Sequence, residues 1–278
     1  MLSIVILTWN SERYLRNCLE AVIASTVDLS DYEIIIVDNG STDATLQLIH
    51  LYQDKMDSLI LLQNQVNLGV AKARNQGIKQ ARGEYIWLLD VDTVINKAAL
   101  SALFLFMHEH PHCGVCGCKL MNSEGEVQHS CRRYPWFRYK LYNVFCRILP
   151  NKGVLSAFWE KVNQLSRKQF YLAQMDGKVP FSVEYLIGAC QFIRKEVFTA
   201  IGLLDEQIFY GPEDADFCLR ANEAGWEVCY LPQVSFIHEY QRMTNKHLFS
   251  KMSWRHIKAL FYFYRKHAHC KKQLKHPN

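Results

Sequence analysis

The stretch Gly83-Glu84-Tyr85-Ile86-Trp87-Leu88-Leu89-Asp90-Val91-Asp92-Thr93 decides how this chain is read. Tyr85–Leu89 is a short apolar run without the alternation of a half-wetted strand, so it predicts a strand covered on both faces. It ends on two carboxylates at i and i+2. One of the pair can hold a hard divalent cation, Mg²⁺ or Mn²⁺, while the other holds ligand hydroxyls or a metal-bound water. By itself Asp-x-Asp is equally a solvated turn, and the upstream sequence gives it weight.

Ser3–Leu7 reads as a strand, and Glu12–Ala24 as a helix with Leu15, Cys18, Leu19, Val22 and Ile23 at helical spacing. Glu33–Val37 is a second buried strand, followed by Asp38-Asn39-Gly40-Ser41, with Ser41 or Thr42 as the N-cap of a helix over Ala44–Tyr52. Leu59–Leu62 is a third strand, and Gly69–Ala81 a helix with alanines at close-packing positions, ended by Gly83. Strand–helix alternation implies an α/β fold with a parallel, Rossmann-like sheet and right-handed crossovers. Ligands of such sheets bind at the carboxyl ends of the strands. Thr8–Asn10, Asp38–Ser41, Asn64–Asn67 and Asp90–Asp92 should therefore line one edge.

The second half is less regular. Val115–Leu120 predicts a strand before a turn at Ser123-Glu124-Gly125, and Tyr134–Leu149 a basic, aromatic helix after Pro135. Leu186–Ile193 predicts a strand through Gly188 and Ala189, Glu213–Ala224 a helix stopped by Gly225, and Trp226–Leu231 and Val234–His238 two short strands. A helix over Leu248–His267 closes the chain.

With 49% hydrophobic and 21% charged residues, the 278-residue chain suits a globular protein with a sizeable core and not a disordered one. There is no apolar run of membrane-spanning length. Met1–Asn10 lacks a basic leader region and is broken at Thr8-Trp9-Asn10, so a signal peptide is not expected and the cytoplasm is. The net charge of +5 conceals an asymmetry. Residues 131–168 carry nine Lys/Arg against the single acid Glu160, residues 246–278 carry nine against none, and the remainder is net −12 by count. Basic, aromatic segments on an acidic body point to an anionic partner. A basic amphipathic tail fits the inner face of an anionic membrane, or else a helix packed on the domain with a wetted basic face. Nucleic acid is expected to bind weakly and without specificity. The ten cysteines, Cys113-x-x-Cys116-x-Cys118 included, read as buried free thiols, since no second Cys/His pair follows at zinc spacing.

Further candidates stand along the predicted edge. Asp38 could accept a hydrogen bond from a base imide, and Asn67-Leu68-Gly69 and Arg74-Asn75 could present amides to a nucleotide. Gly211-Pro212-Glu213-Asp214-Ala215-Asp216 puts three acids at a helix start, where the dipole favours them. Asp216 is read as such a dipole acid. Asp214 is an attractive general base for an attacking hydroxyl. His238 ends a short strand and reads as a core histidine unless a metal lies nearby.

Taken together, S-I-V-I-L-T-W-N (3–10), I-I-I-V-D-N-G-S-T-D (34–43), N-L-G-V-A-K-A-R-N-Q-G-I (67–78), G-E-Y-I-W-L-L-D-V-D-T (83–93) and G-P-E-D-A-D-F-C-L-R (211–220) resemble a family 2 glycosyltransferase of the GT-A fold. The resemblance covers about residues 3–240. Y-L-I-G-A-C-Q-F-I-R (185–194) and Arg265–His267 further resemble the bacterial rhamnosyltransferase-like branch, although that branch usually carries Asn-Pro-Asp where this chain has Asp-Val-Asp. It implies an inverting transfer from a dTDP- or UDP-linked sugar, rhamnose being one candidate, to a glycan or lipid-linked acceptor in cell-surface polysaccharide synthesis. Carried over by position, Thr8, Asn10, Asp38, Gly69, Asn75 and Asp90 would bind the nucleotide sugar. Asp92, with Asp90 and His238, would bind Mg²⁺ or Mn²⁺. Asp214 would be the catalytic base, with Gly188, Ala189 and Glu213 on the acceptor side.

The resemblance divides the chain into a GT-A domain over 1–240, with a nucleotide-sugar half (1–110) and an acceptor half (111–240), and a basic helical tail over 241–278. Two other readings remain. A nucleotidyltransferase would want a Gly-rich phosphate loop where Thr8-Trp9-Asn10-Ser11 stands. A non-catalytic sugar-nucleotide binder on a degenerate fold would not need Asp38, Asp90, Asp92 and Asp214 together.

Overall fold

The computed structural model describes residues 1–27, 29, 31–148, 156–175, 177–239 and 251–269. The elements in chain order are β1 (Leu2–Thr8), α1 (Glu12–Thr26), β2 (Tyr32–Asp38), α2 (Thr45–Gln53), β3 (Leu59–Gln63), α3 (Val70–Gln80), β4 (Tyr85–Asp90), β5 (Thr93–Val94), α4 (Lys97–Glu109), β6 (Cys113–Met121), β7 (Val127–Gln128) and β8 (Cys131–Arg132). They continue with α5 (Phe137–Ile148), α6 (Ser156–Arg167), α7 (Leu172–Met175), β9 (Phe181–Ser182), β10 (Tyr185–Leu186), β11 (Cys190–Arg194), α8 (Lys195–Ile201), α9 (Glu213–Glu223), β12 (Glu227–His238) and α10 (Lys251–Lys266).

One sheet organises the molecule, in the order β3-β2-β1-β4-β11-β6-β12-β5, with β7 on β6 and β9 on β12. β3, β2, β1 and β4 are parallel, as the alternation predicts. The sheet then turns mixed. β11 runs antiparallel to both β4 and β6, while β12 runs parallel to β6. The expectation of a mainly parallel sheet holds for the first four strands and for the β6–β12 pair, with the antiparallel β11 set between them. β4 and β11 are neighbours, so the sheet runs across the division drawn at residue 110.

Strand side chains alternate between two cores. Leu2, Ile4, Ile6, Ile34, Ile36, Trp87 and Leu89 face α1, α2 and α4. Val5, Ile35, Val37, Ile86 and Leu88 face α3, α8, α9 and α10. The small residues of α3 let it lie close to the sheet, and a Cβ at Gly77 would come within 2.5 Å of Val5 Cγ1. Nine cysteines among the described residues are free, and all but Cys146 are buried, in keeping with the reading of Cys113, Cys116 and Cys118 as core thiols.

Three local expectations are corrected and a fourth is completed. Leu186–Ile193 is not one strand, because residues 187–189 turn and their peptide groups bond side chains of other elements. Trp226–Leu231 and Val234–His238 are a single strand, β12, with a register shift between Leu231 and Ser235. Neither Ser41 nor Thr42 caps α2. Ser41 is drawn to Asp38, and the Thr45 N–H donates instead to Asp43 Oδ1 at 3.1 Å. The dipole reading of Asp216 holds for its place in the first turn of α9 but is incomplete, for the carboxylate is completely buried against the cationic Arg220 and Lys266 and the His267 ring.

Those partners belong largely to the tail. Lys266 reaches Asp205 at 2.6 Å and Asp216 at 2.7 Å, and His267 reaches Asp216 at 2.8 Å. Ala259, Phe263 and His267 face inward, and the Tyr264 hydroxyl donates to the Pro135 carbonyl at 2.7 Å. The tail helix, read from the sequence as starting at Leu248, is described from Lys251, and residues 240–250 and 270–278 lie outside the described part. Truncating the buried ring should report on this docking. Phe263→Ala is expected to lower unfolding stability by about 3–5 kcal/mol in a urea titration. An unchanged midpoint would mean that α10 lies outside the cooperative unit.

Candidate active site

Strands β1, β2 and β4 end level with one another, which brings their polar exits together. Thr8 pairs with Asp38, and Leu7 with Asp90. The Asp38 carboxylate accepts the Thr8 hydroxyl at 3.0 Å, the Ser41 N–H at 3.0 Å and the Ser41 hydroxyl. It is wholly buried, so it shapes the loop from inside and presents no oxygen at the surface. The exposed members are Asn10, whose Oδ1 accepts the Thr42 N–H at 2.8 Å, and Thr42 itself. Asn39 ties in the next loop, with its Oδ1 accepting the Leu68 N–H at 2.9 Å and its amide donating to Asn67 and Gly69. Gly69, at φ +89°, leads into α3, where a Cβ would press on Phe209. Asn75 faces away from this edge. Its amide clasps Leu204, donating to the carbonyl at 2.9 Å and accepting the N–H at 3.0 Å.

The Asp-Val-Asp turn meets the end of β12. β5 directly follows the turn, and Thr93 pairs with His238, so the final residue of β12 arrives beside both carboxylates. His238 Nε2 lies 3.3 Å from Asp92 Oδ1 and 4.0 Å from Asp90 Oδ2. The other ring nitrogen contacts Gln128 Oε1 at 2.7 Å, while Gln128 Nε2 donates to the His238 carbonyl at 2.6 Å. That donation fixes the amide orientation, so Nδ1 must carry the proton it gives to Oε1. Nε2 is thereby aimed at two carboxylates. Burial pulls the pKa of His238 down, but the hydrogen bond and charge of Asp92, with the charge of Asp90, outweigh it and leave the pKa raised. A cation between these groups would replace the proton, and two carboxylates with one oriented imidazole suit Mn²⁺ or Mg²⁺. The donor set thus fits such an ion.

Arg74 joins this cluster to the start of α9 through the 187–189 turn. It is buried in α3, and its Nη2 donates both to Asp90 Oδ1 and to the Gly188 carbonyl, the latter at 2.8 Å. The Gly188 N–H in turn donates to Asp214 Oδ2 at 3.2 Å. A Cβ at Gly188 would collide with the guanidinium, so the glycine makes room for Arg74. Ala189 is buried, and its carbonyl accepts the Asp90 N–H at 3.4 Å. Asp214 Oδ1 accepts its own neighbour's N–H, that of Ala215, at 2.7 Å. Burial raises the pKa of Asp214 against the lowering pull of the Ala215 N–H, Arg132 and Gly188. Glu213 is buried beside it, with Oε2 lacking a hydrogen-bond partner, and burial and the charge of Asp214 raise its pKa to about 7.

The structure thus gathers Asp90, Asp92, His238, Gly188, Ala189, Glu213 and Asp214 into one connected site, with Thr8, Asn10, Asp38 and Gly69 along the same strand-exit edge. Arg74 and Gln128 went unrecognised as organisers. Arg74 was visible as a cation in an Ala-rich helix, but its partners were not, and nothing local marks Gln128.

A family model described as "Glycosyl transferase family 2" matches residues 3–202. The poly(ribitol-phosphate) beta-glucosyltransferase of Bacillus spizizenii is 39% identical over 110 residues, 39% of this chain and 17% of that protein. The chain spans about a fifth of the length of the first curated relatives it matches. The N-acetylglucosaminyl-diphospho-decaprenol L-rhamnosyltransferase of Mycobacterium tuberculosis is 24% identical over 281 residues, 96% of this chain and 85% of that one. Among solved structures, a mannosyltransferase from Pyrobaculum calidifontis in complex with GDP-Man and Mn²⁺ superposes with a TM-score of 0.60 at 14% identity, covering 87% of this chain and 57% of that one. The fold is GT-A, as the motifs imply.

Glu213 gives the site a pH signature. An acid whose folded pKa is raised contributes stability that is fully present below its unfolded value, near 4.5, and lost as pH rises through about 7. Glu213→Gln is therefore expected to gain stability relative to wild type between about pH 5 and pH 8, on the order of 1–3 kcal/mol. Melting temperatures across that range check it, and a difference flat with pH would contradict the buried charge.

Proposed function

The chain belongs to glycosyl transferase family 2, and from that premise we propose that it transfers a sugar, with inversion, from a dTDP- or UDP-linked donor to a hydroxyl of a glycan or lipid-linked acceptor in cell-surface polysaccharide synthesis. The carrying observation is the unbroken polar path from His238 and Asp92 to Asp90, Arg74, Gly188 and Asp214. It puts a set of metal-binding groups and a candidate base on one rigid frame, as transfer from a charged diphosphate requires. The acceptors named for the glucosyltransferase and rhamnosyltransferase relatives favour a cell-wall polymer or a lipid-linked sugar.

In this reading the nucleoside lies over the exposed Asn10 and Thr42, on loops held by Thr8, Asp38 and Asn39. Gly69 shapes the same edge, and Asn75 positions α3 by clasping Leu204. Asp92, Asp90 and His238 hold Mg²⁺ or Mn²⁺, which when bound neutralises the charge on the diphosphate leaving group. Asp90 also orients the donor ribose or sugar. Asp214 takes the proton of the acceptor hydroxyl as its oxygen attacks the anomeric carbon and the bond to the diphosphate breaks on the opposite face. Its raised pKa makes it a stronger base than an ordinary carboxylate, and Glu213 and the Gly188–Ala189 turn position the acceptor. The division into a donor half, an acceptor half and a tail is proposed on the same footing.

We also assign the tail a peripheral contact with the inner face of an anionic membrane. No helix among the described residues is long and apolar enough to cross a membrane. Yet α10 exposes Trp254, Ile257 and Phe261 beside Arg255, Lys258 and Arg265, although its other face is packed on the domain. α5, which meets α10 where Phe137 contacts Tyr264, exposes Phe137, Leu141, Val144 and Phe145 beside Arg138. Each cation near such a surface contributes about 1 kcal/mol.

Three measurements test these readings. Thermal shift with UDP, dTDP and GDP and their sugar conjugates should show stabilisation that needs Mn²⁺ or Mg²⁺ and vanishes in Asp92→Ala, by about 2.7 kcal/mol at a hundredfold excess over Kd. Asp214→Asn should keep that binding and lose turnover about 100- to 10,000-fold. Nucleotide binding with Asp214→Asn fully active would remove the base assignment, and no binding at all would favour a degenerate fold. Sedimentation with phosphatidylglycerol vesicles at low salt should carry down the wild type and much less of a Trp254→Ala, Phe261→Ala double variant. Wild type left in the supernatant would rule out the membrane contact.

A further inference from the structure

Far along the chain from the Asp-Val-Asp turn, a second group of metal-capable side chains gathers where the tail helix ends. Glu223 is the last residue of α9, and His267 and His269 directly follow α10. One carboxylate oxygen and one nitrogen of each histidine lie within 4.8 Å of one another, and His269 Nε2 is 3.2 Å from Glu223 Oε1.

His267 gives this cluster its chemistry. Its ring is buried at 2% exposure, and Nε2 lies 2.8 Å from Asp216 Oδ1. Asp216 is a buried carboxylate that already accepts from Arg220 Nε at 2.9 Å and pairs with Lys266 Nζ at 2.7 Å, so it faces His267 as an acceptor. Nε2 must therefore carry the hydrogen it donates. In the neutral ring, Nδ1 then holds the lone pair, and Nδ1 is buried without a hydrogen-bond partner. A histidine oriented by a carboxylate on one nitrogen, with the other left to coordinate, is the usual arrangement around protein-bound zinc.

We propose that Glu223, His267 and His269 form a zinc site that ties the end of α10 to the end of α9. Two imidazoles and one carboxylate favour a late first-row cation over Mg²⁺ or Ca²⁺, which take oxygen ligands. The fourth position faces water, since Glu223 and His269 are exposed. Such an ion would satisfy the orphaned Nδ1 and add a covalent-strength tie beside the ion pairs of Lys266 with Asp205 and Asp216. The site is independent of glycosyl transfer and differs in donor set from the Asp90, Asp92 and His238 cluster.

The test uses the full chain, stripped with EDTA and dialysed against micromolar Zn²⁺ in a large excess of Mg²⁺ that occupies the other cluster. One zinc per chain is expected by elemental analysis, with a raised melting temperature. His269→Ala and Glu223→Gln, both at exposed positions, should weaken zinc binding about tenfold or more and abolish the zinc-dependent shift, while keeping the metal-free melting temperature. Asp92→Ala should bind zinc as the wild type does. Zinc binding that survives His269→Ala and Glu223→Gln, that disappears in Asp92→Ala, or that is undetectable in the wild type would overturn the proposal.

Discussion

A buried arginine is the constraint from which the site takes its form. Arg74 sits in an alanine-rich helix pressed against the sheet, where a guanidinium without a partner would be strongly destabilising. Its charge is met by Asp90, and its Nη2 donates both to that carboxylate and to the Gly188 carbonyl. Several features follow from that pairing. Asp90 gives Oδ1 to Arg74 and keeps Oδ2 on the side of His238. Residue 188 has to be glycine, since a Cβ would take the guanidinium's space. The 187–189 segment leaves the sheet ladder, and its freed N–H reaches Asp214. One cation therefore links the Asp-Val-Asp turn to the start of α9, and the strand predicted over Leu186–Ile193 is broken for the same reason.

A second buried charge does comparable work on the far side of α9. Asp216 lies two residues after Asp214, turned inward to Arg220, Lys266 and His267. These three partners hold the first turns of α9 in place, and with them the backbone that carries Asp214. The tail helix is thus a structural member of the domain that reaches the start of α9 through Asp216. The tail helix is packed on one face only, with Ala259, Phe263 and His267 pointing inward while Trp254, Ile257 and Phe261 point outward.

Much of this could be read before any coordinates. The strand exits after Leu7, Val37 and Leu89 were legible because a run of β-branched and aromatic residues stopped by polar ones is a local signal. The parallel half of the sheet followed from alternation alone, Asp90 and Asp92 stood out as carboxylates where a buried strand ends, and Asp214 as one at a helix start. The antiparallel insertion of β11 was not legible. Hydrophobic runs encode burial but not strand direction, and Cys190–Arg194 reads the same either way. Nor could the single strand β12 be told from two short ones, for Pro232 and Gln233 look like a break and are accommodated by a register shift.

Local sequence was enough for the fold class, the polar edge at the strand exits and the identity of the groups able to do chemistry, because each depends on residues within a turn or a strand of one another. Only the tertiary structure decided how those groups are paired. Arg74 finds Gly188 across 114 positions, His238 finds Gln128 across 110, and Asp216 finds His267 across 51. A charge or a ring nitrogen acquires its proton state and its direction from what lies within a few ångströms in space. For these residues, those neighbours come from other elements, and the path of the chain between them leaves no local mark.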